Sequence, residues 1–500
     1  MFEFVGALLE PHHFALIICG LIAGAVVGCL PGLTATMALA LLVPFTFAMD
    51  PTSGLIILGA VYVGAIYGGC ISAILIGTPG TPSAIATTFD GYPLTKKGMA
   101  EHALVTAAFG SSIGGLIGAF GLLLLSPILV SIALKFGPPE YFWLAVLGLT
   151  VIATLSSKSL IKGLIGGTLG LLMGTVGIAP IGGDVRFTFG FTELQAGFDL
   201  IVALIGLFCL PEVIEMMERR KVQLRIAEYK KKKGVALAVV KQLLKKPILL
   251  IRSAVIGLIV GIIPGAGGNI AGLLSYDIAV KSSKEPEKFG TGIIEGVAAS
   301  ETSNNAEVGG SLVPLLTLGI PGAPPAAVML GALMIHGLRP GPDLFSVSGD
   351  IVYTFMYSLI IANILLFFVG FYGARIFAKL ISLPVYALVP FIIFLCVIGS
   401  YSIRNNMLDV YAMVGFGIFG YFTKKLGIHP GTIVLGLILG RIAEIGFVQS
   451  ILLSKAIGSY WAVFIARPIS AILIILCAVM LLWPVFAGYF KKEIPTGEGD

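Results

Sequence analysis

The stretch GLIVGIIPGAGGN, residues 257–269, decides how the chain folds. It opens as an apolar helix and then meets Pro264-Gly265. Proline removes a backbone donor and blocks a helix interior, while glycine lowers helix stability. The same pattern, GxxxGxxPG, stands at residues 24–36 as GAVVGCLPGLTAT, with an offset of 233. Further on, GTPGTPSA at 77–84 matches GIPGAPPA at 319–326, with an offset of 242. A third pair, GLLMG at 170–174 and GLILG at 436–440, follows at 266. Three matches in one order, with an offset that only grows, point to an internal duplication with insertions in the second copy.

The solvent around these breaks is lipid. Of 500 residues, 57% are hydrophobic, 65 more are glycine, and only 12% are charged, about half the usual charged fraction of soluble chains. Apolar runs of about 20 residues recur, as bilayer spans require. No alternating segments of about 10 residues suggest a β-barrel. The expected fold is therefore an all-α polytopic membrane protein of about 10–12 transmembrane helices. It would have two repeated halves, inverted in topology, with broken helices or re-entrant hairpins. Residues 1–211 form the first transmembrane repeat, 212–246 a basic linker, 247–490 the second repeat and 491–500 a polar tail. The N-terminus lacks a basic n-region and carries Glu3 and Glu10, so no cleaved signal is expected. The linker holds eleven Lys and Arg against four Glu, which places it in the cytoplasm by the positive-inside rule rather than on nucleic acid.

In lipid, broken backbone is tolerated only where protein or a water-filled cavity satisfies it. An isolated break reads as a kink or a tight crossing of small residues. Paired breaks in corresponding places point to a transporter binding site. Helix N-termini after such breaks present free amides and a positive dipole end, which suits an anion. The expected solute site thus takes Gly32, Thr34 and Thr36 from the first break, and Gly77, Thr78, Gly80, Thr81 and Ser83 from the next. The second half adds Gly265, Gly268, Asn269, Asn304, Asn305, Gly319 and Gly322. Basic residues at membrane depth are few; Lys162, Arg339, Arg404 and Arg441 are candidates, each of which also suits an interface.

One run is unusually polar: AASETSNNAEVGG, residues 298–310. On a helix Glu301 meets Asn304 and Asn305 at three and four residues, and Ser300 meets Asn304. Ionisable groups at this depth are costly and usually functional. Ser300, Glu301, Thr302, Asn304 and Asn305 are the expected ion-coupling set, for Na⁺ through oxygen ligands or for a proton through Glu301. The bland alternative is a watery loop like KSSKEPEKF, residues 281–289, which lies nearby.

The six cysteines and five histidines show no paired or metal-ligand spacing. No metal or other cofactor is expected. Neither HExxH nor a P-loop occurs, so an enzyme is not expected.

The run Glu295 to Pro342, EGVAASETSNNAEVGGSLVPLLTLGIPGAPPAAVMLGALMIHGLRPGP, closely resembles the signature region of the large membrane subunit of tripartite tricarboxylate transporters, the TctA family. Residues 28–84 and RFTFGFTEL, Arg186 to Leu194, resemble it too. The resemblance implies a permease of the bacterial inner membrane. Its partners would be a small four-helix membrane subunit and a periplasmic solute-binding protein. It would take up citrate or another small organic carboxylate on a Na⁺ or proton gradient. Glu307 and Val308 stand where the family pattern has smaller or polar residues, which bears on the substrate. The competing reading, an ion channel or cation/proton antiporter centred on Glu301, stays open on residues alone.

Overall fold

Proline marks where many helices begin, because its missing amide donor costs nothing in a first turn. The computed structural model describes residues 8, 10–155, 159–218, 234–381 and 385–491. Helix α1 spans Pro11–Cys29, α2 Ala35–Thr46, α3 Pro51–Ile76, α4 Ile85–Lys96 and α5 Ala100–Ala133. Then come α6 (Pro138–Leu155), α7 (Leu160–Gly174), a short antiparallel ribbon pairing Gly177–Ile178 with Val185–Arg186, and α8 (Leu200–Glu218). The second half supplies α9 (Val235–Leu244), α10 (Pro247–Ile262), α11 (Gly267–Lys281), α12 (Ile294–Leu318) and α13 (Pro324–Ile335). It ends with α14 (Pro342–Val347), α15 (Gly349–Leu380), α16 (Val385–Arg404), α17 (Met407–Lys425), α18 (Pro430–Ile457), α19 (Tyr460–Phe464) and α20 (Pro468–Lys491).

Among the described residues, seven helices are long and apolar enough to cross a membrane: α1, α3, α5, α8, α15, α16 and α18. The chain is a multi-pass membrane protein. Helix α12 has the length, 25 residues, but its polar positions depress its hydropathy. Of the expected basic linker, 212–218 continue α8 and 235–244 form α9, while 219–233 lie outside the described residues. So do 492–500 of the expected tail.

The two breaks have the same geometry in each half. Helices α1 and α10 end in extended residues, Leu30 (φ −87°, ψ 116°) and Ile263 (φ −80°, ψ 116°). Helices α3 and α12 end at left-handed glycines, Gly77 (φ 71°) and Gly319 (φ 73°). Positive φ there is easy only without a Cβ. After each turn the chain folds back on the helix it left: the Gly80 amide donates to the Gly69 carbonyl at 3.1 Å, and Gly322 to Ser311 at 3.2 Å.

Packing recurs as well. A Cβ on Gly24 or Gly28 would run into the carbonyls of Val61 and Ala65 on α3. Shifted by the offsets of 233 and 242, these become Gly257 and Gly261 against the carbonyls of Ser303 and Glu307 on α12. The Gxxx part of the duplicated motif is therefore a backbone-to-backbone crossing, and only its Pro-Gly part is the break.

The chain divides into two compact units, and neither follows the sequence halves. One comprises Met1–Ala133 with Leu204–Tyr421, the other Leu134–Ala203 with Phe422–Asp500. The first contains all four breaks. In the second, the third repeated pair meets itself: Gly170 on α7 lies against the Ile433 carbonyl of α18, and Gly436 on α18 against the Gly167 carbonyl.

The second unit also buries Glu140 completely. It accepts from Arg467 at 2.8 Å, Ser470 at 2.8 Å and the Gly137 amide at 2.8 Å. Removing one partner of a buried pair strands the other charge. Arg467 is 38% exposed, so solvent moderates the loss, and Arg467→Met should cost about 2 kcal/mol. The check is the thermal unfolding midpoint in detergent. An unchanged midpoint would show that Ser470 and the Gly137 amide suffice to hold the carboxylate.

Candidate functional site

The polar run of residues 298–310 is not a loop. It lies inside α12, and Ser300, Glu301, Thr302, Ser303, Asn304, Asn305 and Ser311 are all fully buried. By contrast, 281–289 is mostly exposed, with the surface pair Lys288–Glu285. The helix survives this polarity because its neighbours satisfy part of it. Ser303 donates to the Ala271 carbonyl at 2.9 Å, and Ser275 of α11 donates to the Ala299 carbonyl at 2.9 Å.

The expected ion-coupling residues do not form one face. Glu301 points to the first half: Thr87 of α4 donates to Oε1, and Ser111 of α5 donates to Oε2 at 3.1 Å. Ser300 is shared with the Thr87 hydroxyl at 3.1 Å. Asn304 instead turns to the second-half break. A Cβ on Gly268 would stand 2.5 Å from Asn304 Oδ1, 3.0 Å from Ser83 Cβ and 3.5 Å from Glu307 Oε2. The stripe that faces the breaks is Ser300, Asn304, Glu307 and Ser311, spaced by four, three and four residues, as one helix face requires. Ser311 meets Tyr62 of α3 at 3.0 Å.

Several of these groups have no hydrogen-bond partner among the described residues: both side-chain atoms of Asn304 and of Asn305, Oε1 of Glu307 and the Thr302 hydroxyl. Buried polar atoms are nearly always satisfied. Orphans gathered on one helix call for partners from outside the chain, whether water, an ion or a ligand.

The other expected residues divide. Thr81 and Ser83 are buried and bonded to each other at 2.9 Å, and Ser83 reaches Gly268 across the repeat. Gly265 joins its own half's second break, its amide donating to the Gly322 carbonyl at 2.8 Å. Gly32, at φ 94°, lies by the Met216 side chain instead. Thr34 caps α2 by accepting from the Met37 amide at 3.2 Å, and Thr36, the second residue of that helix, is buried. Thr78 and Asn269 are exposed. Gly77 and Gly319 act as the left-handed caps. Of the basic candidates, Arg404 is paired with Asp409 and Lys162 with the Leu426 carbonyl.

Capping differs among the breaks. Helix α2 uses Thr34, but no side chain caps α11 at Ala266, α13 at Ala323 or the turn entering α4 at Thr81. Uncapped first turns leave amide donors for an anion. Helix α12 enters differently. Asp90 of α4, fully buried, accepts from the amides of Gly292 and Ile293 at 2.8 and 3.1 Å and from Tyr276 at 2.9 Å.

Thr87, Ser111, Asp90, Tyr62, Ser311 and Glu307 were outside the expected set. Only Glu307 and Ser311 carried a signal, the continuation of the Ser300–Asn304 spacing by two further steps.

The tripartite tricarboxylate transporter TctA family model matches residues 14–435. An uncharacterized 52.8 kDa protein in the TAR-I ttuC' 3' region of Agrobacterium vitis is 37% identical over 482 residues, covering 95% of this chain and 94% of that protein. An uncharacterized protein in the TAR-II ttuC' 3' region of the same organism is 36% identical over 231 residues, 46% of this chain and 94% of that protein. No solved structure matches.

Proposed function

The chain belongs to the tripartite tricarboxylate transporter TctA family, and from that membership we propose that it is the large permease subunit of a secondary transporter for citrate or another small organic carboxylate. It works in the bacterial inner membrane with a small four-helix subunit and a periplasmic solute-binding protein, with residues 212–246 on the cytoplasmic side. A Na⁺ or proton gradient drives uptake, and the two halves are inverted repeats that alternate access around their paired breaks. No resident cofactor takes part.

The observation that carries this reading is the meeting of a first-half break, at Ser83, with a second-half break, at Gly268, beside the unpartnered Asn304. The solute carboxylate binds uncapped helix amides together with Thr81, Ser83 and Asn304. Polar positions on the Asn304 face of α12 take the coupling ion.

The test is reconstitution of the chain with its two partners and uptake of labelled citrate and other carboxylates under a Na⁺ or a proton gradient alone. Absence of carboxylate uptake under both gradients would sink the reading. Ion current without solute, and without the binding protein, would favour a channel or cation/proton antiporter, which the buried Glu301 and Glu307 also suit.

Asn304→Ala and Thr81→Ala should lower uptake while membrane abundance holds. Each removes a hydrogen bond to a charged solute, about 1.5–3 kcal/mol, or about ten- to hundredfold in affinity. Wild-type uptake in both variants would remove them from the site.

A further inference from the structure

Helix α12 carries two buried carboxylates, and their surroundings differ. Glu301 is held by two hydroxyl donors from α4 and α5. Glu307 is 1% exposed, and its Oε1 has no partner among the described residues. No ion pair to Glu307 occurs among the described residues; the titratable group facing it is Tyr62, whose hydroxyl is engaged with Ser311. An unpaired carboxylate at this depth binds a cation or takes up a proton.

The neighbours favour a metal cation. A proton needs only the carboxylate. Here Asn304, with both side-chain atoms unpartnered, sets its Oδ1 beside the same glycine as Glu307 Oε2. A neutral amide oxygen and a carboxylate oxygen around one point are oxygen donors for a hard cation. The counterpart of Glu307 in the first half, by the offset of 242, is Ala65, so only one copy of the duplicated break carries the charge.

We propose that Glu307, rather than Glu301, holds the coupling charge: with Asn304 beside Gly268 it binds Na⁺, and the solute carboxylate is admitted only once that charge is neutralised. The proposal rests on the carboxylate-uptake reading above. It explains obligatory coupling by electrostatics. A bare Glu307 repels an anion arriving at Ser83 and Gly268, and a bound cation cancels that repulsion. Glu301 then serves as a positioning residue that ties α12 to α4 and α5.

The experiment measures radiolabelled sodium binding to the purified chain with its partner subunits, and the Na⁺ dependence of citrate uptake in proteoliposomes. Glu307→Gln should weaken sodium binding roughly tenfold or more, since loss of ligand charge lowers cation affinity, and citrate uptake should lose its Na⁺ requirement. Glu301→Gln should bind sodium as wild type does. If Glu307→Gln is not recovered folded, Asn304→Ala carries the test and should also weaken binding. Unchanged sodium binding in Glu307→Gln, loss confined to Glu301→Gln, or no sodium binding by wild type would overturn the proposal. Glu307-dependent sodium binding in a protein that moves no carboxylate would overturn the uptake reading and the coupling, and leave the cation site standing.

Discussion

Gly80→Val and Gly322→Val should each abolish carboxylate uptake. A Cβ at Gly80 would fall inside the Gly28 carbonyl, in the last turn of α1, and one at Gly322 inside the Gly261 carbonyl, in the last turn of α10. Both obstacles are backbone, so no rotamer change relieves them. Each glycine is also fixed from the other side by its amide bond, to Gly69 or to Ser311. Seating a side chain there parts the second break from the first and disperses the amides and hydroxyls gathered around them. Overpacking alone costs about 1–3 kcal/mol, and losing the alignment costs transport outright. Gly349→Ala is the control, because no heavy atom lies within 4 Å of its Cβ position. Uptake by the variants, normalised to protein recovered from membranes, checks the expectation. Activity in either substituted hairpin would mean that the two breaks do not have to stay in contact, and a difference between them would measure how unequal the halves are.

That symmetry is legible in the amino-acid sequence alone. Pro31-Gly32 with Pro264-Gly265, and Gly77 with Gly319, announced paired breaks, because proline and glycine act on the local chain. Helix lengths follow the same order: 19, 12, 26, 12 and 34 residues for α1 to α5, against 16, 15, 25, 12 and 32 for α10 to α13 and α15. The site was legible only in part. Spacing along α12 reports which side chains share a face, not what lies opposite. Thr87 and Ser111 reach Glu301 across 214 and 190 residues, and nothing local marks either threonine or serine for that task. Grouping Glu301 with Asn304 by proximity on a helix joined two residues that the fold sends to different neighbours. Asp90 was equally hidden. It caps a helix that begins more than two hundred residues later, so its role exists only in the folded chain. Thr34 shows how local the signal is: a hydroxyl after a break suits a ligand or its own helix, and here it caps its own helix.

Gly114→Leu should have the largest effect on folding. Helix α5 lays Gly110, Gly114 and Gly118 against the backbone of α12 at Ala298, Thr302 and Ala306. At Gly114 a Cβ would lie inside the Thr302 carbonyl, so the two helices have to separate. Without a hydrophobic driving force between helices in lipid, close packing is what holds such a pair. Separation also pulls Ser111 from Glu301, leaving a buried carboxylate with one donor fewer. The combined loss is on the order of several kcal/mol, comparable with the whole stability of many domains. Gly121→Leu, one turn beyond the stripe, gives the comparison. The nearest atoms to its Cβ would be those of the Leu258 side chain, at 2.6 Å, a flexible end rather than backbone. Size-exclusion profiles of detergent extracts should show Gly114→Leu aggregated or missing and Gly121→Leu near wild type. Equal recovery of the two would mean that α5 and α12 tolerate a gap, and that the burial of Glu301 does not depend on their contact.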